Sequence, residues 1–457
     1  MDHTKQLGEA RISKLLLKFS IPAITGMVVN ALYNVVDRIF IGQGVGRMGI
    51  AGLTVAFPLM TVMMALAMLI GLGATALISI RLGEQRKAEA ELILGNAMIC
   101  LIGIALTVTT LGLIFLDPLL RLFGASPEVL PFARAYMRII LLGVVFMAIG
   151  FGMNHFIRAE GNPKIAMLTM LLGAITNTIL DPVFIFVFDW GIEGAAWATI
   201  ISQFFSAAWV LSYFFSKKSH LWIQLKNLKP KSAVILEIIA IGSAPFMMQM
   251  AASVIGVILN NSLVRYGGDL AISAMGIVNS VTMLFLMPIF GINQGAQPII
   301  GYNYGAEKFD RVKKALKLAI SAATLVVLIG FAMVRLFPNS LAGLFSKQDP
   351  ELIALSSRAM QIFLTMLPII GFQIVGANYF QAVGKPKQAL ILSLSRQVLL
   401  LIPALLILPR FFGLNGVFYA GPVADFGSSV ITGIRLFLEL KNLDRKHTGN
   451  KLEPELA

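Results

Sequence analysis

The sequence predicts an all-α polytopic membrane protein, with twelve transmembrane helices in two six-helix lobes related by a pseudo-two-fold axis along the membrane normal. Three observations predict this fold: the composition, the length of the apolar runs and an internal repeat. Hydrophobic residues make up 57% of the 457 residues and charged residues 13%, whereas globular chains carry roughly 25% charged residues. The mean hydropathy is +0.82. The chain is therefore expected to lie in a lipid bilayer. Helices are expected there because lipid offers no hydrogen-bonding partners to the backbone.

Twelve apolar runs lie between charged, glycine or proline breaks, each about 20 residues or longer and so able to cross a ~30 Å hydrocarbon core. We name them spans 1 to 12. They cover residues 15–41, 50–78, 93–116, 134–157, 165–188, 192–215, 236–264, 271–299, 315–337, 358–382, 388–409 and 415–438. The predicted domains are an N-terminal lobe (1–216), a polar, basic cytoplasmic linker (217–234), a C-terminal lobe (235–440) and a tail (441–457).

Lysine and arginine predict the orientation. With the N-terminus inside, the cytoplasmic segments hold 26 of them and the outer segments 10. The positive-inside rule then places both termini in the cytoplasm. The net charge of +14 is a signal of topology and anionic lipid, and no nucleic-acid partner is expected. We expect a retained first helix and not a cleaved signal peptide, because no small-residue cleavage site precedes span 1.

An internal repeat relates the two halves of the chain. Ser20-Ile21-Pro22 is matched in the second half by Ser243-Ala244-Pro245. The segment 158–164 is matched at the same offset by 381–387, and Gly191 is matched at nearly the same offset by Gly413. Since each half has six spans, both halves share one orientation. Two bundles facing across a cavity are typical of an alternating-access transporter and are not needed by a channel.

Several other classes of site are excluded by the residues present. Cys100 is the only cysteine and the four histidines are scattered, so neither a disulfide nor a cysteine- or histidine-based metal centre is expected. No Walker motif and no nucleophile–base motif is found. The sequence therefore predicts a protein that is not an enzyme, with an ion gradient in place of any cofactor.

Two acids in the outer half of the first lobe are the main candidates for function. An acid inside a membrane-length segment costs several kcal/mol, which makes it a functional candidate. At ~1.5 Å per helical residue, Asp37 lies roughly 8 Å and Asp181 roughly 12 Å from the outer ends of their spans. Asn177 lies one turn from Asp181 on the same face, and Thr199 lies in the outer half of span 6. We predict that these four residues meet.

Two carboxylates in a poorly hydrated pocket cannot easily both stay ionised, so Asp37 and Asp181 are expected to take up and release protons. With the oxygens of Asn177 and Thr199, they equally suit a small hard cation such as sodium. The structural alternative is an acid hydrogen-bonded to Tyr33 or to an asparagine. Tyr33, Asn30 and Asn154 are the supporting polar or substrate-contacting candidates.

Asn154 and His155 lie near the loop at Arg158, where a helix-end role is the favoured interpretation. Pro22, inside span 1, is the predicted hinge, although a simple kink is equally typical of a proline in a membrane helix.

The second half lacks the acid pair. The repeat puts Asn260 opposite Asp37 and Pro403 opposite Asp181, so ion coupling is expected to belong to the first half. Arg396 and Asp425, inside spans 11 and 12, are predicted to form a buried ion pair, with a structural role favoured over substrate contact.

Three segments carry a resemblance to a known family. Ala31-Leu32-Tyr33-Asn34-Val35-Val36-Asp37-Arg38 followed by Ile41-Gly42, the loop 158–164, and Asn177-Thr178-Ile179-Leu180-Asp181-Pro182 resemble the multidrug and toxic compound extrusion (MATE) family. The resemblance covers the whole chain and is closest to the DinF-like bacterial branch, which implies the plasma (inner) membrane of a bacterium. It implies a V-shaped, two-lobed antiporter that exports cationic lipophilic drugs against a proton or sodium gradient. It also implies that Asp37, Asn177, Asp181 and Thr199 form the first-lobe site, with Tyr33 beside it and a bend at Pro22.

The chain departs from the NorM-like branch, whose acids lie in spans 7 and 10. Here span 7 offers Gln249 and Asn260, and span 10 offers Gln361 and Gln373. A sodium-coupled antiporter remains the alternative, and a flippase for a lipid-linked sugar a more distant one, because its phosphate would favour a basic cavity. The expected partners are a small drug or toxic organic cation and membrane lipid, and the expected state is a monomer.

Overall fold

The computed structural model describes residues 3–216, 218–345 and 349–452. Lys217 of the predicted linker and residues 453–457 of the predicted tail lie outside the described residues. The described residues form helices joined by short turns, with no strand among them, which confirms the all-α prediction.

The first half forms a short helix and six spans. The short helix is His3–Glu9. Span 1 is Ile12–Gly44, span 2 Arg47–Gly83, span 3 Lys87–Ile114, span 4 Leu130–Leu142, Val144–Met147, a π-helical turn Ala148–Gly152 and Asn154–Ala159, span 5 Pro163–Pro182 with a π-helical turn Val183–Val187, and span 6 Gly191–Phe215. A surface helix, Leu116–Leu122, joins spans 3 and 4. Span 4 is bent by 57° between its two main parts.

The second half repeats this plan after a 3₁₀ turn at Leu225–Leu228. Spans 7 and 8 form one run, Ser232–Gly305, that Gly268 divides; span 9 is Phe309–Leu336, followed by a short helix Pro338–Gly343; span 10 is Pro350–Phe363 and Leu367–Ala382; spans 11 and 12 comprise Pro386–Leu394, a π-helical turn Ser395–Leu401 and Ile402–Leu452.

The helices agree with the predicted number of spans. Within the described residues, nine helices are long and apolar enough to cross a membrane, or eleven when each of two bent pairs is one span. One of the nine, Pro386–Leu443, has 58 residues, more than twice the ~20 that a crossing needs. The non-helical backbone at Gly413 divides it, which gives twelve.

The repeat is confirmed in the backbone. Gly46 has φ 79° and ψ −164°, and Gly268, its equivalent in the second half, has φ 65° and ψ −161°. This region of φ/ψ space is essentially open to glycine alone. The same offset relates Gly191 (φ 52°) to Gly413 (φ 56°). The turns between equivalent helices are therefore built alike in both halves.

The chain forms two compact units. Unit 1 comprises residues 1–10 and 21–246, and unit 2 residues 11–20 and 247–457. The divisions thus fall within spans 1 and 7, close to Pro22 and to Pro245. The lobe boundaries drawn from the sequence remain a proposal.

The segment between spans 6 and 7 is held on unit 1 by buried side chains. Asn96 accepts the backbone N–H of Lys231 at 2.7 Å and donates to the carbonyl of Asn227 at 3.2 Å. Glu91 accepts the side-chain amide of Gln224 at 2.7 Å. This connection is therefore a docked strap, although its composition is that of a polar linker.

Candidate functional site

Spans 1 and 5 bring Asp37 and Asp181 together inside unit 1. Asp37 is 7% exposed and Asp181 is fully buried. Their carboxyl groups face each other at hydrogen-bonding distance. An ionised carboxylate only accepts hydrogen bonds, so a hydrogen bond between two of them requires one shared proton. The geometry is that of a carboxyl pair able to hold a proton.

Asn177 completes a group of oxygens around this pair. Its Nδ2 donates to Asp181 Oδ1 at 3.2 Å. Asp37 Oδ1, Asp181 Oδ2 and Asn177 Oδ1 are buried and have no hydrogen-bond donor among the described residues. Since buried polar atoms without partners are costly, either a proton or a small hard cation would satisfy them.

The local structure of span 5 positions Asp181 at the end of a regular helix. Pro182 follows directly, and the chain then forms the π-helical turn Val183–Val187. Proline removes a backbone donor, and single π-helical turns are frequent at functional sites. The turn thus begins just after the acid and its proline.

Thr199 and Tyr136 form the other wall of the site. Thr199 is 8% exposed and its Oγ1 donates to the carbonyl of Ala195 at 3.0 Å. The Tyr136 hydroxyl lies in hydrogen-bonding reach of Thr199 and near both acids, and its side chain is 1% exposed. Sequence reasoning missed Tyr136. Its position in the outer half of span 4 was the available signal, but the sequence did not show which face of span 4 points towards the acids.

Tyr33 lines an apolar cavity of about 230 Å³ beside the acids. The other lining residues come from the same two helices: Val29, Leu32, Val36, Ala174, Ile175, Thr178 and Ile179. Asn30, in the turn of span 1 before Tyr33, is exposed. The cavity therefore presents a mainly hydrocarbon surface one turn from Asp37 and Asp181.

Asn154 lies elsewhere in unit 1. It begins the last helical segment of span 4, is 4% exposed, and its Oδ1 has no hydrogen-bond donor in the described part of the chain. His155 Nδ1 lies 3.1 Å from Arg158 Nη1. Asn154 lies about five helical turns further along span 4 than Tyr136, which is the residue of this span near the acids. The structure therefore separates this candidate from the acids.

Pro22 is buried in an uninterrupted helix, Ile12–Gly44. The division between the compact units falls between Ser20 and Ile21. The proline thus lies at the part of span 1 where the helix leaves one unit for the other, and its role as a hinge remains a prediction.

In unit 2, Arg396 Nε donates to Asp425 Oδ1 at 2.5 Å. The Asp425 side chain is 2% exposed and the Arg396 side chain 26% exposed. The predicted buried ion pair is confirmed. Because its two charges are matched with each other, the pair needs no further ligand.

Comparison with known proteins gives the same family over both halves. The family model MatE matches residues 22–183 and 244–406. The chain is 29% identical over 417 residues to the multidrug export protein MepA of Staphylococcus haemolyticus, with 91% of each chain covered. It is 28% identical over 414 residues to MepA of Staphylococcus aureus, again with 91% of each covered.

Solved structures of similar fold cover nearly the whole chain. A MOP superfamily transporter from Pyrococcus furiosus has a TM-score of 0.90 and 27% identity, covering 96% of this chain and 98% of that one. A MATE transporter in a bent conformation has a TM-score of 0.91 and 26% identity, with 98% and 99% covered. A straight conformation gives 0.89 and 26%, with 96% and 98% covered.

Proposed function

The chain belongs to the MatE family, and from that premise we propose that it is a secondary-active multidrug efflux antiporter that exports cationic lipophilic compounds in exchange for protons. The observation that carries the proposal is the buried contact between Asp37 and Asp181. The two MepA relatives are multidrug export proteins, and the match covers 91% of the length of each, which supports the substrate class.

The acid pair supplies the coupling. When the pair holds fewer protons, its negative charge attracts an organic cation, because opposite charges interact strongly in a poorly hydrated site. The adjacent apolar cavity, lined by Val36, Ile175 and Ile179, offers a surface to the lipophilic part of the same molecule. Protons entering from outside neutralise the carboxylates and weaken the hold on the cation. Exchange then follows, since proton and substrate compete for one charge.

Span 1 links this exchange to a change of conformation. Asp37 and Pro22 lie on the same helix, Ile12–Gly44, and Pro22 lacks the backbone donor that would stiffen it. A change in the hydrogen bonds of Asp37 therefore acts on a helix that bends most readily about four turns away. Structures of similar MATE proteins have been solved in a bent and in a straight conformation, which supports a change of conformation in this fold.

Sodium is the second candidate for the coupling ion. The oxygens without donors on Asp37, Asp181 and Asn177 are of the hard type that sodium prefers. Sodium would bind where the proton binds and would displace the organic cation in the same way.

Efflux from proteoliposomes tests the proposal. A fluorescent organic cation is loaded, and a proton or a sodium gradient is imposed separately on wild type, Asp37→Asn, Asp181→Asn and the control Glu193→Gln. Glu193 is an exposed acid at the outer end of unit 1. We expect proton-driven efflux in wild type and control and its loss, by at least about tenfold, in both aspartate variants.

Undiminished gradient-driven efflux in both aspartate variants would refute the coupling role of the pair. Efflux driven by a sodium gradient and not by a proton gradient would show that sodium is the coupling ion. Flux without either gradient would indicate a channel.

We place the protein as a monomer in a bacterial plasma membrane, with both termini cytoplasmic and with lipid and an organic cation as partners. The asymmetry between 26 basic residues on the proposed inner side and 10 on the outer side supports the orientation.

A further inference from the structure

Unit 2 contains a cavity that the acid pair does not use. Its volume is about 270 Å³, and it is lined by Arg335, Gln361, Ile362, Thr365, Tyr419 and Pro422. Arg335 ends span 9, Gln361 and Thr365 lie in span 10, and Tyr419 lies in span 12. In the proposed topology this is the outer end of the unit.

The cavity lies at a break in a membrane helix. Span 10 consists of Pro350–Phe363 and Leu367–Ala382, bent by 53°, and Gln361, Ile362 and Thr365 flank or lie in the break. Irregular backbone at membrane depth is tolerated where it lines a polar cavity or is buried in protein. Discontinuous membrane helices are also a common setting for ligand sites.

Arg335 gives the cavity a positive charge. One guanidinium nitrogen, Nη2, donates to Thr365 Oγ1 at 3.2 Å, and the group lies 5.2 Å from the centre of the Phe331 ring. Among the residues that the structure describes, no carboxylate forms an ion pair with Arg335, and the lining contains no acid. The guanidinium offers five donors, so most remain available to a ligand. An anion is the complementary ligand.

Exposed apolar tracks lead away from this charge. On span 9, Leu325 is 61% and Leu328 45% exposed, and both lie on the helical face that ends at Arg335. On span 12, Val423 is 49% and Phe426 57% exposed, below Tyr419. Exposed apolar residues thus lie on two of the helices that line the cationic cavity, which suits a molecule with acyl chains and an anionic head.

We propose that this cavity is a phosphate-ester site whose ligand is the headgroup of an anionic phospholipid, held by the Arg335 guanidinium with Gln361, Thr365 and Tyr419 as neutral partners. Arginine suits phosphate because its planar fork can make two parallel hydrogen bonds. The same phosphate chemistry occurs in soluble phosphate monoesters, so the two sources must be separated by experiment.

The repeat provides an internal comparison. In the first half, the residue equivalent to Arg335 is Leu113, because span 3 (Lys87–Ile114) and span 9 (Phe309–Leu336) begin and end 222 residues apart. The residue equivalent to Thr365 is Leu142. Unit 1 also has a bent span at this level, but it carries neither the charge nor the hydroxyl. The site is therefore expected once per chain.

Native mass spectrometry of the purified full-length protein tests the proposal. Wild type, Arg335→Gln and the control Arg410→Gln are equilibrated with mixed dioleoyl phosphatidylglycerol and dioleoylphosphatidylcholine. Arg410 is an exposed arginine near the same end of unit 2 that does not line the cavity. We expect wild type and control to retain one phosphatidylglycerol at about tenfold preference, and Arg335→Gln to lose that preference.

Glycerol 1-phosphate, added as competitor, separates the sources. Retention of the lipid in its presence assigns the site to phospholipid, and displacement assigns it to a soluble phosphate ester; both support a phosphate site. Equal preference in Arg335→Gln and Arg410→Gln would overturn it, because general surface charge would then explain the binding. If Arg335→Gln fails to fold by circular dichroism, Thr365→Val, which keeps the volume, is expected to weaken retention severalfold, and an unchanged affinity would overturn the proposal.

Discussion

Tyr136 shows what a single residue adds to the acid site. Its hydroxyl reaches Thr199 and lies near Asp37 and Asp181, while its ring is 1% exposed. A buried hydroxyl is retained at a cost unless it makes a hydrogen bond. It therefore ties span 4 to span 6 at the depth of the acids.

Tyr136→Phe removes this hydroxyl and keeps the ring. Since one neutral hydrogen bond contributes about 1 kcal/mol, we expect proton-driven efflux to fall about fivefold, with the apparent unfolding temperature nearly unchanged. Efflux from proteoliposomes and thermal unfolding provide the two readouts. Tyr266→Phe, at a half-buried tyrosine of span 7, is the control, and an equal loss in both variants would argue against a specific role.

Glu160 is another buried acid of unit 1, in the turn between spans 4 and 5. It is fully buried and accepts hydrogen bonds from Tyr213 Oη and Ser219 Oγ, both at 2.7 Å, and from the backbone N–H groups of Leu221 and His220. Burial raises the pKa of Glu160 from 4.5 to about 7, although these hydrogen bonds act in the opposite direction. Glu160 fastens the strap before span 7 to the turn.

This pKa predicts how stability depends on pH. Between the two pKa values Glu160 keeps a proton in the folded chain that it has lost in the unfolded chain. Its contribution to the free energy of unfolding therefore falls as the pH rises from 4.5 to about 7 and is constant outside that window. The upper bound is on the order of 3 kcal/mol. We expect the difference between the unfolding temperatures at about pH 5 and about pH 8 to be smaller in Glu160→Gln than in wild type. The control Glu193→Gln, at an exposed position, should keep the difference of wild type. An unchanged difference in Glu160→Gln would refute the assignment of this pH dependence to Glu160.

At the scale of elements, the start of span 7 packs against span 2 through glycine. A Cβ on Gly242 would lie 1.7 Å from the carbonyl oxygen of Leu69, and one on Gly73 would lie 2.2 Å from that of Ile238. These are backbone atoms that no rotamer change can move. Close approach, and not flexibility, is what requires glycine here.

Gly242→Ala is therefore expected to be strongly destabilising, by about 3 kcal/mol or more, because the two helices must separate. Gly256→Ala, in the same helix, is the matched control: a Cβ there meets nothing within 4 Å, and alanine favours helix over glycine by about 1 kcal/mol. Thermal unfolding in detergent compares them. Equal stability of the two variants would contradict the described packing.

At the scale of the whole molecule, the proposed orientation can be tested with single cysteines. Cys100, the only cysteine, is replaced by serine. Leu225→Cys, at an 86% exposed position, and Asp189→Cys, at an exposed turn between spans 5 and 6, are then added separately. We expect a membrane-impermeant maleimide to label Asp189→Cys in intact cells and Leu225→Cys only after lysis. The reverse pattern would invert the topology.

Much of the architecture was predictable because it depends on local sequence. Apolar length defined the spans, and Gly191 and Gly413 marked equivalent turns in the two halves. The breaks inside spans 4 and 10 were not predicted, because a bent helix has the same hydropathy as a straight one. Nor was the docking of the strap before span 7, whose basic composition is equally that of a solvated linker.

The candidate site was likewise predictable only in part. Sequence alone placed Asp37, Asn177, Asp181 and Thr199 at similar depth, because depth follows from residue count along a helix. Only the tertiary structure decided that Asp37 faces Asp181 and that Tyr136 joins them. Which side chains meet depends on how each helix is rotated about its axis and which helix lies beside it. Those quantities are set by packing between residues far apart in the chain.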